Sequence, residues 1–189
     1  EGKNVPIHWH NDLEINLIRE GEAVFQVYQK SYRVRTGEGF LLNRNVPHSC
    51  SSPGNEHVRY STILVRPDFL YGDFGSDVER KCFQPFLQNS AIPCIYLTGF
   101  DENGKEILQK LNQVEEAFDR KRFCYELKIK GLLCEAFAMI LYGHRQELTK
   151  FVPANLQELE RLEKMLNYLN MHFTCLLYTS PSPRDPKTS

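Results

Sequence analysis

The chain has 189 residues, 41% of them hydrophobic and 25% charged, with a formal net charge of −1. That is globular composition, enough for one good-sized domain or a domain and part of a second. Near-neutral charge argues against a domain whose main work is gripping phosphate backbone, and no apolar run reaches the length of a membrane span.

The first half punctuates as an all-β domain: short runs rich in β-branched and aromatic residues, separated by Gly, Pro and Asn. Strands are expected at Leu13 to Ile18, Ala23 to Tyr28, Tyr32 to Arg35, Phe40 to Leu42 and Val58 to Arg66. Turns fall at Gly21, at Gln29-Lys30, at Gly37-Glu38-Gly39 and over Asn43 to Pro47. Strands this short, joined this tightly, suggest a small barrel or sandwich.

The period then changes. Asp77 to Leu87 reads as a short helix and Ile95 to Leu97 as a returning strand. Ile107, Leu111, Val114 and Phe118 recur at helical spacing, and so do Tyr125, Ile129, Leu132, Leu133, Ala136, Phe137, Ile140 and Leu141. The loop Asp119 to Arg122 joins these two helices into an antiparallel hairpin, and Gly143 closes the second one. Their apolar stripes can cover the barrel or form a dimer seam through Ile107, Leu111, Val114, Phe118, Leu133, Phe137 and Leu141.

Phe151 to Ala154 reads as a linker, and a capped helix follows from Asn155 to Phe173. The stretch from Cys175 onward, with three prolines between Pro181 and Pro186, reads as a disordered tail foreign to the domain. The expected organisation is a barrel over 1–100, a hairpin over 101–147, a linker and truncated helix over 148–174, and the tail over 175–189. The opening at Glu1 rather than Met reads as a fragment. The six cysteines show no C-x-x-C pair and read as small buried thiols of a reducing cytosol.

Chemistry concentrates in His8-Trp9-His10-Asn11-Asp12-Leu13-Glu14. In an extended chain His8, His10 and Glu14 share one face while Leu13, Ile15 and Leu17 share the other. Two imidazoles and a carboxylate on one face can line a polar cavity or bind a divalent metal. His48 follows the Asn43–Pro47 turn and offers a third imidazole from elsewhere in the barrel. Asn16 and Ile18 continue the inward parity of Glu14, with Phe25 or Gln26 opposite. Trp9 has the outward parity, His57 lies in a polar loop, and His144 and His172 sit near helix ends.

His8, His10, Glu14 and Gly21 match the first motif of the cupin superfamily in full. Gly37 and His48 match the second, but its Pro, inner Gly and final Asn positions carry Asn43, Asn45 and Ser52. Asn45 suits the glycine position because Asn tolerates positive φ. The wider run through Leu-Glu-Ile-Asn-Leu-Ile-Arg-Glu-Gly, Tyr-Arg-Val-Arg-Thr-Gly-Glu-Gly-Phe-Leu-Leu-Asn and Val-Pro-His-Ser resembles the N-terminal sensor domain of AraC-type transcription regulators.

The resemblance implies a mainly β fold with C-terminal helices: a cupin-type jelly-roll barrel followed by the hairpin. It also implies a small, sugar-like effector in the barrel at His8, His10, Glu14, Asn16 and His48, with no required cofactor. The expected partners are a second copy of the chain and, through a missing C-terminal domain alone, DNA; the expected place is the cytoplasm. Two other readings stay open. One is a metal-dependent cupin enzyme, a dioxygenase or isomerase, with a divalent metal on His8, His10, Glu14 and His48. The other is a cupin kept as a dimerisation scaffold with no ligand.

Overall fold

A computed structural model describes residues 4–54 and 57–150, all within one compact unit spanning Glu1–Phe151. The strands are β1 (Val5–His8), β2 (Leu13–Glu20), β3 (Glu22–Val27), β4 (Lys30–Arg35), β5 (Gly39–Leu42), β6 (His48–Ser51), β7 (Arg59–Val65) and β8 (Cys94–Leu97). They form two four-stranded antiparallel sheets, ordered β1-β6-β3-β4 and β7-β2-β5-β8. The helices are α1 (Pro67–Tyr71), α2 (Gln84–Leu87), α3 (Glu102–Arg120), α4 (Tyr125–Gly143) and α5 (Arg145–Thr149). This is the mainly β fold with C-terminal helices expected from sequence.

The tight turns follow from local chemistry. Gly21 and Gly37 adopt φ of 78° and 86°, a region costly for residues with a Cβ. Asn45 stands at φ 58°, so it does take the glycine-like conformation its motif position calls for.

Two apolar cores share β2 as their common wall. Ile18, Phe25, Val27, Phe40, Leu42 and Cys50 pack between the sheets, with Phe25 stacked on Phe40 at 4.8 Å between ring centroids. Leu13, Ile15 and Leu17 face the other way, with Leu41, Val65, Ile95 and Leu97, against α3 and α4. The expected parity of β2 therefore holds, and Phe25 rather than Gln26 is the inward residue of β3. Barrel and hairpin are one packing unit, because the second core draws on both.

Several expectations need correction. His8 to Glu14 is not one strand: β1 ends at His8, the chain bends through 9–12, and β2 begins at Leu13 in the other sheet. The expected helix over Asp77 to Leu87 is a π-helical turn, Glu79–Phe83, leading into the short α2. The helix α1 was not anticipated, although Pro67 in its first turn is a start signal. Of the described cysteines only Cys50 is buried; Cys94 and Cys134 are partly covered, and Cys82 and Cys124 are exposed.

The dimer seam needs the largest correction. Ile107, Leu111, Val114, Leu133, Phe137 and Leu141 are buried inside the chain's own core, and of the seven only Phe118, 56% exposed, reaches the surface. The physical reason is that the outer face of the β7-β2-β5-β8 sheet is apolar and needs a cover, which the two stripes supply. The expected Asn155 to Phe173 helix and the 175–189 tail lie outside the described residues.

Truncating Phe137, which touches Phe83 at 5.9 Å between ring centroids, should leave a cavity in that core. Chemical denaturation of Phe137→Ala should show a loss of roughly 3–5 kcal/mol. Phe123→Ala, at a residue 99% exposed, should leave stability within about 0.5 kcal/mol.

Candidate ligand and metal site at the barrel end

Although β1 and β2 lie in different sheets, the bend between them and the strand β6 bring four polar groups together. His8 pairs with His48 across β1 and β6, and Glu14 enters as the second residue of β2. One donor atom from each of His8, His10, Glu14 and His48 lies within 4.8 Å of the others. The rings of His8 and His48 are 4.2 Å apart, and that of His10 is 5.4 Å from His48. His8 and His10 are partly covered, whereas Glu14 and His48 are buried.

Each imidazole is held the same way. Nδ1 donates to a backbone carbonyl two residues away: His8 to Pro6 at 2.9 Å, His10 to Asp12 at 3.0 Å and His48 to Val46 at 2.8 Å. In a neutral ring this assigns the hydrogen to Nδ1 and leaves Nε2 as a lone-pair donor, the usual support of a metal-ligating histidine. His10 Nε2 lies 2.8 Å from Glu14 Oε2. Two lone pairs at that distance repel unless a proton or a cation lies between them. His48 Nε2 is 3.3 Å from the same oxygen but out of hydrogen-bond alignment, a buried nitrogen without a hydrogen-bond partner.

Glu14 is anchored from its other side. Asn16 Nδ2 donates to Oε1 at 2.7 Å, and Thr62 Oγ1 on β7 donates to Asn16 Oδ1 at 2.7 Å. This chain holds Oε1 away and aims Oε2 at the imidazoles. Burial alone would raise the Glu14 pKa, but contacts with His48, Asn16 and His10 outweigh it and hold it at about 2. Burial would lower that of His48; the Glu14 carboxylate and the Val46 carbonyl raise it instead. Glu14 is therefore a carboxylate across the ordinary pH range.

All four residues picked out from the sequence motif meet at this site, and Asn16 joins it as a buried neighbour of Glu14. Thr62 was missed. Its only signal was its place in a strand whose pairing to β2, opposite Asn16, could not be read from spacing. Trp9 points outward and is 67% exposed; His57 is exposed. The donor set fits a divalent metal: three imidazole nitrogens and one carboxylate oxygen, each oriented by a second hydrogen bond.

Comparison with known proteins agrees with this fold. The profile of the AraC-like ligand binding domain family matches residues 1–137. An uncharacterized HTH-type transcriptional regulator, YdeC of Bacillus subtilis (strain 168), is 23% identical over 170 residues, 89% of this chain and 56% of its own length. The chain thus spans little more than half of that relative. The 1.65 Å structure of ToxT from Vibrio cholerae has a TM-score of 0.53 at 12% identity, covering 89% of this chain and 64% of ToxT. ToxT of strain SCE256 bound to an unsaturated fatty acid has a TM-score of 0.51 at 13% identity, covering 93% and 64%. With its profile match, two-sheet barrel and helical cover, the chain belongs to the AraC-like ligand-binding domain family.

Proposed function

We propose that this chain is the effector-sensing and dimerising part of an AraC-type regulator of transcription, with a small, polar, sugar-like effector bound among His8, His10, Glu14, Asn16 and His48. The observation that carries the reading is His48 Nε2, a buried ring nitrogen with no hydrogen-bond partner, facing two further imidazoles and a carboxylate. A buried polar atom left unpaired costs about 1–3 kcal/mol, and a bound hydroxyl or cation would relieve it. DNA would be read by a further domain of the kind that gives the Bacillus relative its HTH-type name. A regulator of this class acts in the bacterial cytoplasm. Among the described residues no helix is long and apolar enough to cross a membrane.

Dimerisation belongs to the same proposal. The seven residues first marked for it leave Phe118 alone on the surface. A second reading, a metal-dependent enzyme of the dioxygenase or isomerase type, is favoured by the shared tautomer of the three histidines. The residues to hold a divalent metal are His8, His10, His48 and Glu14, and the metal would supply a Lewis-acidic anchor for ligand oxygen atoms. The regulator character of the Bacillus relative weighs against catalysis.

In a thermal-shift screen a cognate sugar at a hundred times its Kd should stabilise the protein by about 2.7 kcal/mol, and Asn16→Leu should abolish the shift. A shift with long-chain fatty acids and none with any sugar would replace the effector class.

Metal is tested separately, on protein purified without a histidine tag. Nickel or zinc should raise the melting temperature of the wild type and not that of His48→Ala. The apparent affinity should fall as pH is lowered, because ligating nitrogens must shed their protons and the His48 pKa is raised. No metal response of the wild type at neutral or mildly alkaline pH would remove the metal reading.

A further inference from the structure

Among the described residues four strands lie at sheet edges: β1, β4, β7 and β8. Proteins blunt free edges with proline, with charge or by keeping them short, because a row of unpaired backbone groups invites another strand. Three of these edges are blunted. β1 has four residues and contains Pro6, β4 carries Lys30, Arg33 and Arg35, and β8 has four residues. β7 differs. It is seven residues long and runs Arg-Tyr-Ser-Thr-Ile-Leu-Val, with charge only at Arg59 and at Arg66 just beyond its end. Leu64, its sixth residue, is 57% exposed.

The outer edge of β7 also borders a cavity of about 640 Å³, lined by six consecutive residues from Ser61 to Arg66. Val114 and Phe118 of α3, Ile129 and Leu133 of α4, and Phe69 of α1 form its other walls. A cleft that follows an unpaired strand edge and has apolar walls is shaped for an added β-strand.

We propose that this strand is β7 of a second copy, pairing antiparallel about a two-fold axis near the strand's middle, so that the two β7-β2-β5-β8 sheets join into one. This rests on the homodimer reading above and gives it a surface.

Charge favours a second copy over an unrelated strand. Arg66 lies at one end of the cleft. At the other end Arg19 bonds both Ser61 and Glu115, and Asp119 stands one helical turn beyond Glu115. A two-fold axis reverses the strand, which brings the partner's Arg66 to the end that holds Asp119, and does so twice. Both side chains are exposed: Arg66 forks with the neighbouring Asp68 on its own chain, and Asp119 lines the cavity. Phe118 beside Asp119 then meets the partner across the same axis. An isologous contact of this kind closes at two copies and leaves no free β7 edge for further growth.

Sedimentation of the full 189-residue chain tests this. The wild type should be a dimer and Leu64→Lys a monomer with an unchanged circular dichroism spectrum. Arg66→Asp and Asp119→Arg should each weaken association about tenfold or more, and the double reversal should restore most of it. A dimer indifferent to Leu64→Lys and to both reversals overturns the β7 interface while the homodimer reading survives. A wild type that stays monomeric at every concentration overturns both.

Discussion

The alternation of side chains along β2 is the constraint on which the rest of the molecule depends. Flanked by β5 and β7, this strand sends Leu13, Ile15 and Leu17 to the helical core and Glu14, Asn16 and Ile18 into the barrel. A slip of one residue would push a carboxylate and an amide into the apolar layer under α3 and α4. It would also drive three aliphatic side chains among the imidazoles. Two incompatible environments on opposite faces of one strand define its register more firmly than either would alone. The apolar face obliges the helices to cover the sheet, and the polar face obliges His10, Asn16 and His48 to gather around Glu14.

That second obligation is electrostatic. Glu14 is 8% exposed, and an ionised carboxylate at that depth is destabilising by several kcal/mol unless it is paired. Its oxygens are divided between two tasks: Oε1 accepts from Asn16, while Oε2 faces the rings of His10 and His48. Asn16 is itself held by Thr62, so the geometry of the polar cluster reaches β7. From the neighbouring Ser61 a further bond runs to Arg19, which also holds Asn112 and Glu115 on α3. The same edge strand therefore touches the polar site on one face and is tied to the helical cover at its side.

What was legible in the sequence divides along the same physical line. The motif residues His8, His10, Glu14 and His48 were identifiable because a donor set keeps its spacing in the chain. The parity of β2 was readable because period-two alternation is a local property. The break between His8 and Leu13 was not readable, since a strand and a sheet-to-sheet bend both keep the chain extended. Nor was the pairing of Asn16 with Thr62, which depends on contact between residues far apart in sequence. Apolar spacing placed both hairpin helices closely, at Glu102–Arg120 and Tyr125–Gly143, but could not assign what their apolar faces touch. A stripe buried against the chain's own sheet and one buried against a second copy have the same period, and area decides between them. The outer face of the β7-β2-β5-β8 sheet took Ile107, Leu111, Val114, Leu133, Phe137 and Leu141.

This division of the helices' surface bears on how a ligand-binding domain of this architecture could signal. A ligand shifts an equilibrium only by its unequal affinity for two arrangements, so the site must be joined to something with two arrangements to choose between. The buried faces of α3 and α4 are poor candidates: they are close-packed on the sheet, and moving them opens cavities of the kind that cost several kcal/mol. The edge strand is a better one. β7 is tied to the barrel site through Thr62 and to α3 through Ser61 and Arg19, while its outer edge faces a cleft rather than a packed neighbour. A group bound at Oε2 of Glu14 competes with the contacts that orient the carboxylate, and Asn16 transmits any rotation of Oε1 to Thr62 over two bonds of 2.7 Å. On the proposed function, a change at the polar cluster would be passed by this relay to Thr62 on β7.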